Sequence, residues 1–469
     1  MKLTKKHYLI IAIVAVVLVA VLAIVLIGGN GRKQNGAAPG WNIGEATFDT
    51  EAPVTIRFYS TMGKALVETI TPFIEEFQKM YPNITVEHTQ PGGYDEVRDT
   101  IKTELTVGEQ PNIAYCYPDH VAMYNRSGKV ITLDQFIDHT EYGLTAEQKS
   151  DIISGFYNEG KQFGDGWMYT LPFSKSTEVL YYNKTYFDAN NLKVPTTWAE
   201  MEEVCKKIKQ LNPESTPLGY DSESNWFITM CEQYGSSYTS ASDPHYLFDN
   251  STNRTFVEMI ARWHYEGLVT TKELNGSYTS GLFVEGKSFM SIGSSAGATH
   301  QRPAAVDGQY AFDVGIAPIP QVSASNPKVI SQGPSLVMLD CGDTQENIAT
   351  WLFMKYLVTN VNLQAAFADA SGYVPVLKSV SDVPTFAAKL NAANGGNNIA
   401  YLSMKVCLEQ ESYYYTSPAF NGSSTARDQV GYLMQAAMSG YKDAVQKGNV
   451  SALIDKVFKD AINECENQL

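Results

Sequence analysis

Val54-Thr55-Ile56-Arg57-Phe58-Tyr59 alternates apolar and polar residues, the pattern of a half-buried strand. Immediately after it, Leu66, Ile70, Phe73, Ile74, Phe77 and Met80 recur at helical spacing until Pro82-Asn83 stops the helix. Ile84-Thr85-Val86 resumes a strand. Val97, Ile101 and Leu105 form a second helical stripe closed by Gly108. Ile113 to Tyr117 reads as a third strand, with Asp119 placed to cap the short helix that follows. This β-α-β-α-β order implies a parallel sheet with helices on both faces, an α/β fold. The pattern restarts downstream with a strand at Val179 to Tyr182. A capping box at Thr197-Trp198-Ala199-Glu200 then opens a helix with Met201, Val204, Ile208 and Leu211 on one face. Further helices are expected around 351–357, 430–438 and 452–462, and no short repeat is present.

At 469 residues the chain suits two large lobes, and 44% hydrophobic against 18% charged residues supports real cores. A net charge of −15 with no downstream cluster of Lys and Arg argues against nucleic acid as a partner. The 28 Tyr and 6 Trp suit a site that grips a polar ligand with apolar ring faces, although aromatic rings also fill ordinary cores. The six cysteines are far apart and show no zinc spacing, so they read as free buried thiols. The seven His show no metal-binding spacing, and neither a metal nor a cofactor is expected.

Lys2, Lys5 and Lys6 precede an unbroken apolar run from Leu9 to Ile27. At about 1.5 Å per residue, ~19 residues span roughly 29 Å, close to the hydrocarbon thickness of a bilayer. Basic residues before the run keep the N-terminus inside and export the remainder. Residues 1–30 therefore read as a cytoplasmic stub and uncleaved signal anchor, with a cleaved signal peptide as the alternative. Residues 31–52, rich in Gly, Ala, Pro and Asn, read as a flexible tether.

Two catalytic motifs match by letter and fail by context. Gly281 to Ser288 fits a phosphate-binding P-loop, but its interior carries Leu282, Phe283 and Val284, and it runs into a strand at Phe289 to Ile292. Gly293-Ser294-Ser295-Ala296-Gly297 fits a nucleophile elbow, but the only downstream His is His300, with no acidic residue between. An exported serine hydrolase thus lacks a triad in the usual order, and no enzyme activity is expected.

Several ordered segments carry a resemblance. They are the helix ending in Tyr81-Pro82-Asn83-Ile84, Gly93-Tyr94-Asp95-Glu96, and Gly108-Glu109-Gln110-Pro111-Asn112-Ile113. Leu171 to Thr177 leading to Leu180-Tyr181-Tyr182-Asn183-Lys184, Val194-Pro195-Thr196-Thr197-Trp198, Leu282-Phe283 with Gly286-Lys287, and Ser371-Gly372-Tyr373-Val374-Pro375 complete the set. In this order they resemble the extracellular solute-binding proteins of ABC importers, in the class that takes sugars and glycerol phosphate. The resemblance covers nearly everything after Pro53. It implies a two-lobed, type II periplasmic-binding-protein fold whose hinged lobes close on a ligand. Lobe 1 would hold 53–169 plus 287–334, and lobe 2 would hold 170–286 plus 335–469.

By the same resemblance to the glycerol-phosphate binders, ligand contacts fall on Tyr94, Tyr117 (where an acidic residue is usual), Ser176, Trp226, Ser294, Ser295, Gly333 and Tyr373. The residue types suit the role. Ser294 and Ser295 end a strand where hydroxyls and N–H groups can hold oxygens. Gly333 allows close backbone approach, and Trp226 and Tyr373 offer stacking faces. Each also has a plainer reading as a turn serine, a turn glycine or a core ring. The family's phosphate-gripping Arg has no counterpart in Tyr415 to Ser423, and Arg427 reads as the start of a helix. The implied function is therefore capture of a neutral carbohydrate or polyol by a monomer at the outer face of the cell membrane, for delivery to ABC permease subunits. Glycerol-phosphate-type esters, and a sensing ectodomain of the same fold, are the alternatives.

Overall fold

The computed structural model describes residues 39–394 and 398–467, and the signal anchor expected at 1–30 lies outside them. Among the described residues no helix is long and apolar enough to cross a membrane. Ten strands pair there into two five-stranded sheets. The first sheet begins with β1 (Val54–Tyr59), β2 (Ile84–Thr89) and β3 (Ile113–Cys116), joined by helices α1 (Lys64–Met80) and α2 (Tyr94–Glu104). β1 pairs in parallel with β2 from Val54↔Ile84 to Tyr59↔Thr89, and with β3 at Phe58↔Ile113, as the sequence order implies. α3 (Pro118–Tyr124) and α4 (Ser154–Glu159) follow, and β4 (Thr170–Pro172) forms the far edge. The chain then crosses to the second sheet, made of β5 (Glu178–Asn183), β6 (Leu218–Tyr220), β7 (Val269–Thr271), β8 (Met290–Ser294) and β9 (Val314–Pro318) in the order β9-β5-β8-β6-β7. Helices α5 (Trp198–Leu211), α6 (Glu223–Tyr234) and α7 (Ser251–Tyr265) cover it. The capping box at the start of α5 forms as read, with Thr197 and Glu200 each satisfying the other's backbone.

A last strand, β10 (Ser335–Met338), returns to the first sheet and lies antiparallel between β3 and β4. The first sheet is therefore mixed, not wholly parallel. Its return corrects the expected lobe boundaries. Residues 290–318 were expected with the first lobe, but β8 and β9 both pair with β5 in the second sheet. Residues from 335 were expected in the second lobe. Yet Leu336, Val337 and Met338 are buried, as a central strand requires, and α8 (Thr344–Thr359) packs Trp351 and Phe353 into the first core. The terminal pair, α9 (Ser423–Lys447) and α10 (Val450–Asn467), joins the second core through Leu433, Met434 and Phe458, and Tyr413 to Tyr415 pack against it.

The tether reading also needs correcting where it can be seen. Residues 41–48 are bound to the first lobe, not free. Trp41 stacks on Phe136 at 5.7 Å, Ile43 is buried and donates its N–H to Gln135 (2.7 Å), and the Phe48 N–H reaches the Tyr142 hydroxyl (2.9 Å). Three apolar side chains in a polar stretch were enough to dock it, and the polar composition hid them. All six cysteines are free, five of them buried.

Candidate functional site

A cleft of about 600 Å³ opens where β3 ends and the chain turns into α3, the carboxyl end of a parallel strand where α/β folds place ligands. One wall carries Tyr94, first residue of α2, and Tyr117, which N-caps α3 ahead of Pro118. The facing wall carries Ile228 of α6, Tyr238 and the first turns of α9. The floor is the segment Ile330-Ser331-Gln332 with Glu159.

Tyr94 and Tyr117 lie together, ring centroids 4.8 Å apart and tilted 53°. Tyr117, Thr61 and Tyr373 are the polar side chains that act on the Tyr94 hydroxyl, so three of the residues read from the sequence form one cluster. Burial pushes all three phenols above their ordinary range, which keeps them protonated and able to donate. His120 packs edge-on against Tyr117 at 5.5 Å, and burial lowers its pKa, so it stays neutral near pH 7.

Four predicted contacts belong to the hinge. Segments 174–177 and 330–334 run side by side between the sheets, with backbone bonds between Ser176 and Gln332 at 2.8 and 2.9 Å. Gly333 does allow close approach, but to the backbone of Ser174 to Ser176. The Ser295 hydroxyl is buried and accepts the Thr177 N–H at 3.1 Å, and the Ser294 hydroxyl accepts the Ala296 N–H at 3.3 Å. These serines answer turn and crossing backbone. The P-loop lookalike runs helix, turn, strand, the reverse of a phosphate loop's order. Trp226 is a core ring. It is fully buried, stacks on Tyr220 at 4.6 Å and faces Trp198, because it lies on the inner face of α6.

The cleft also contains residues that the sequence reading passed over. Asp119 does not cap α3. Tyr117 holds that position, and Asp119 lines the cleft, accepting among the described residues only the His120 N–H at 3.1 Å. Arg98 lies on the rim and bonds to Asp95 and Asp99, each at 2.8 Å. Arg427 does start a helix, and that is what places it in the cleft. The Gly422 turn (φ 109°) launches α9 at the opening, and Arg427 donates to Asn225 Oδ1. Asn225 in turn donates to Glu178 at 2.8 Å and to Gln332 at 3.0 Å, and Tyr220 donates to the other Glu178 oxygen. A helix-starting Arg carries no signal of its orientation without the glycine turn before it.

Glu178 is wholly buried, and loss of hydration pushes its carboxyl up to about 7, against the pull of Tyr220, Asn225 and Arg427. A raised acid stays protonated in the fold while the unfolded chain ionises. Its stabilising contribution is full below about pH 4.5 and is lost as pH rises through about 7, on the order of 3 kcal/mol in all. His88, lowered to about 4 by burial, acts oppositely, losing its contribution as pH falls from 6.5 to 4. Comparing Glu178→Gln with the parent at each pH cancels the His88 effect. In urea unfolding the variant should gain stability relative to the parent between pH 5 and pH 8. A gap unchanged across that window refutes the ionisation.

The family model described as bacterial extracellular solute-binding protein matches residues 73–394. The maltotriose-binding protein of Pyrococcus abyssi is 21% identical over 328 residues, covering 66% of this chain and 64% of the relative, slightly under two thirds of its length. The sn-glycerol-3-phosphate-binding periplasmic protein UgpB of Escherichia coli is 22% identical over 349 residues, 71% of this chain and 77% of the relative. Among solved structures, the sugar-binding protein MalE of Xanthomonas citri superposes with a TM-score of 0.71 at 17% identity, covering 88% of this chain and 98% of that one.

Proposed function

The chain belongs to the bacterial extracellular solute-binding proteins, and from that premise we propose that its cleft captures a carbohydrate or related polyol, catalyses nothing, and hands the ligand to ABC permease subunits. The observation that carries the reading is the Tyr94–Tyr117 pair at the cleft between two lobes. Two half-buried rings and their hydroxyls meet a facing wall that offers Thr416, Ser417, Ser423 and Ser424. Sugars present apolar ring faces and many hydroxyls, and this lining answers both. The Ser295 hydroxyl, occupied in the hinge, argues against hydrolase chemistry. The apolar run at Leu9 to Ile27 would hold the protein at the outer membrane face as a monomer.

A phosphate ester such as sn-glycerol 3-phosphate is the second reading. It is favoured by Arg427, which places in the cleft the guanidinium that the sequence between 415 and 423 lacks.

A thermal-shift panel of oligosaccharides, polyols and sn-glycerol 3-phosphate tests the class, because a true ligand raises the midpoint by mass action. For a sugar that does so, Tyr117→Ala should weaken binding roughly tenfold or more in calorimetry, whereas Tyr117→Phe retains most of it. A panel without any shift refutes the ligand class, and unchanged affinity in Tyr117→Ala refutes the site.

A further inference from the structure

The charges of the cleft do not balance in the way a neutral ligand requires. Four carboxylates line it, Asp95, Asp119, Glu159 and Asp428, against the guanidiniums of Arg98 and Arg427. Asp95 is answered by Arg98, which is also engaged by Asp99. Glu159 is answered by the buried Lys175. Arg427 lies in the cleft and donates to Asn225, whose amide donates in turn to Glu178. Asp119 and Asp428 remain. They stand on opposite walls, on α3 and α9, which touch, and neither enters an ion pair among the described residues. Asp428 is held above the ordinary carboxylate range by lost hydration, against the opposing field of Arg427, with Asp119 and Asp95 adding to the rise and Arg98 opposing it.

A second observation concerns the same end of the cleft. Tyr238 lines it and is only 6% exposed, yet its hydroxyl has no hydrogen-bond partner among the described residues. The charges acting on that hydroxyl are led by Arg427 and include Asp119. Buried hydroxyls are rarely left unpaired, and a donor on a molecule bound in the cleft would supply the missing partner.

We propose that this end of the cleft, bounded by Asp119, Asp428 and Tyr238, receives a protonated primary amine on the ligand, so that the protein selects an amino sugar over its neutral counterpart. The proposal rests on the solute-binding reading above and specifies its substrate class. A primary ammonium carries three N–H donors and one positive charge, matching two carboxylates and one phenolic oxygen. A sugar hydroxyl supplies one donor and no charge. A quaternary ammonium fits aromatic faces but offers no N–H to Tyr238. A phosphate meets the carboxylate pair with like charge.

Calorimetry on the purified full-length protein tests this with β-1,4-linked glucosamine trimer, its fully N-acetylated counterpart, maltotriose, choline and sn-glycerol 3-phosphate. The amine trimer should bind at least tenfold more tightly than the N-acetylated one. The double variant Asp119→Asn/Asp428→Asn should bring the two within about threefold without lowering the unfolding midpoint. Equal or tighter binding of maltotriose or the N-acetylated trimer overturns the amine subsite and leaves the carbohydrate reading standing. Preference for choline, or for sn-glycerol 3-phosphate alone, overturns it in favour of those chemistries. Retention of amine preference in the double variant overturns the assignment of these carboxylates. Failure of every probe to bind brings down the solute-binding reading with it.

Discussion

Lys175→Met is expected to destabilise the fold by about 3–5 kcal/mol, the cost of leaving a buried charge without its partner. Lys175 is fully buried on the first crossing segment of the hinge, and its ammonium donates to Glu159 and to the Gly333 carbonyl at 2.9 Å. Glu159, also buried, ends α4 and accepts a further bond from the Ser335 hydroxyl at 2.8 Å. One ion pair thus ties a first-lobe helix to both crossing segments. Methionine fills the lysine's space but supplies no N–H, so Glu159 keeps its charge with only the hydroxyls of Ser335 (2.8 Å) and Ser331 (3.5 Å) as donors, and the Gly333 carbonyl loses its side-chain donor. The double variant Lys175→Met/Glu159→Leu removes the charge as well and should recover most of the loss, since apolar replacements of buried pairs are often near neutral. Urea unfolding of the single and double variants decides it. A single variant with the parent's midpoint, or a double variant no more stable than the single, would rule out an uncompensated charge as the cause.

The architecture was legible because it rests on periodicity. Ile56 and Phe58 on β1, and Ile70, Ile74 and Phe77 on α1, are buried as their spacing requires, and the Thr197 box opens α5 where it was read. Lobe membership was not legible. Whether Leu336 to Met338 returns to the first sheet depends on which strand slot is empty, a non-local fact that local pattern does not carry. Of the site, the Tyr94–Tyr117–Tyr373 cluster came through the family resemblance, and the structure assembles it. Trp226 lies in the core because a helix face decides whether a ring meets core or cleft, and α6 is buried on nearly every side. Arg427 and Asp119 were passed over as cleft residues for the complementary reason. Each had a satisfactory local role, helix start or helix cap, and that role concealed the direction of its charge.

Gly333 separates the two readings of one residue and carries the second large effect. If its small size served the ligand, Gly333→Ala would weaken binding and leave the fold's stability intact. The structure gives it a different task. Its φ of 94° lies in the left-handed region, and a Cβ there would sit 2.5 Å from the Ser174 carbonyl oxygen, 3.0 Å from Lys175 Cα and 3.1 Å from Ser176 N. All three are backbone atoms of the opposite crossing segment, and none can yield by rotating a side chain. Gly342 provides the control. Its φ of 92° imposes nearly the same conformational penalty on alanine, but no atom lies within 4 Å of the position of its Cβ. Gly342→Ala should therefore cost about 1–2 kcal/mol, the strain of an L-residue in that region. Gly333→Ala adds displacement of a packed backbone and should cost about 2 kcal/mol beyond that, within the range of overpacked sites. Because the displaced segment carries Lys175, the loss should shrink when Gly333→Ala is placed in the Lys175→Met background, where the pair that fixes the crossing is already broken. Equal losses at positions 333 and 342 would show that the hinge has room at Gly333, and the close approach would then have to be sought in the ligand after all.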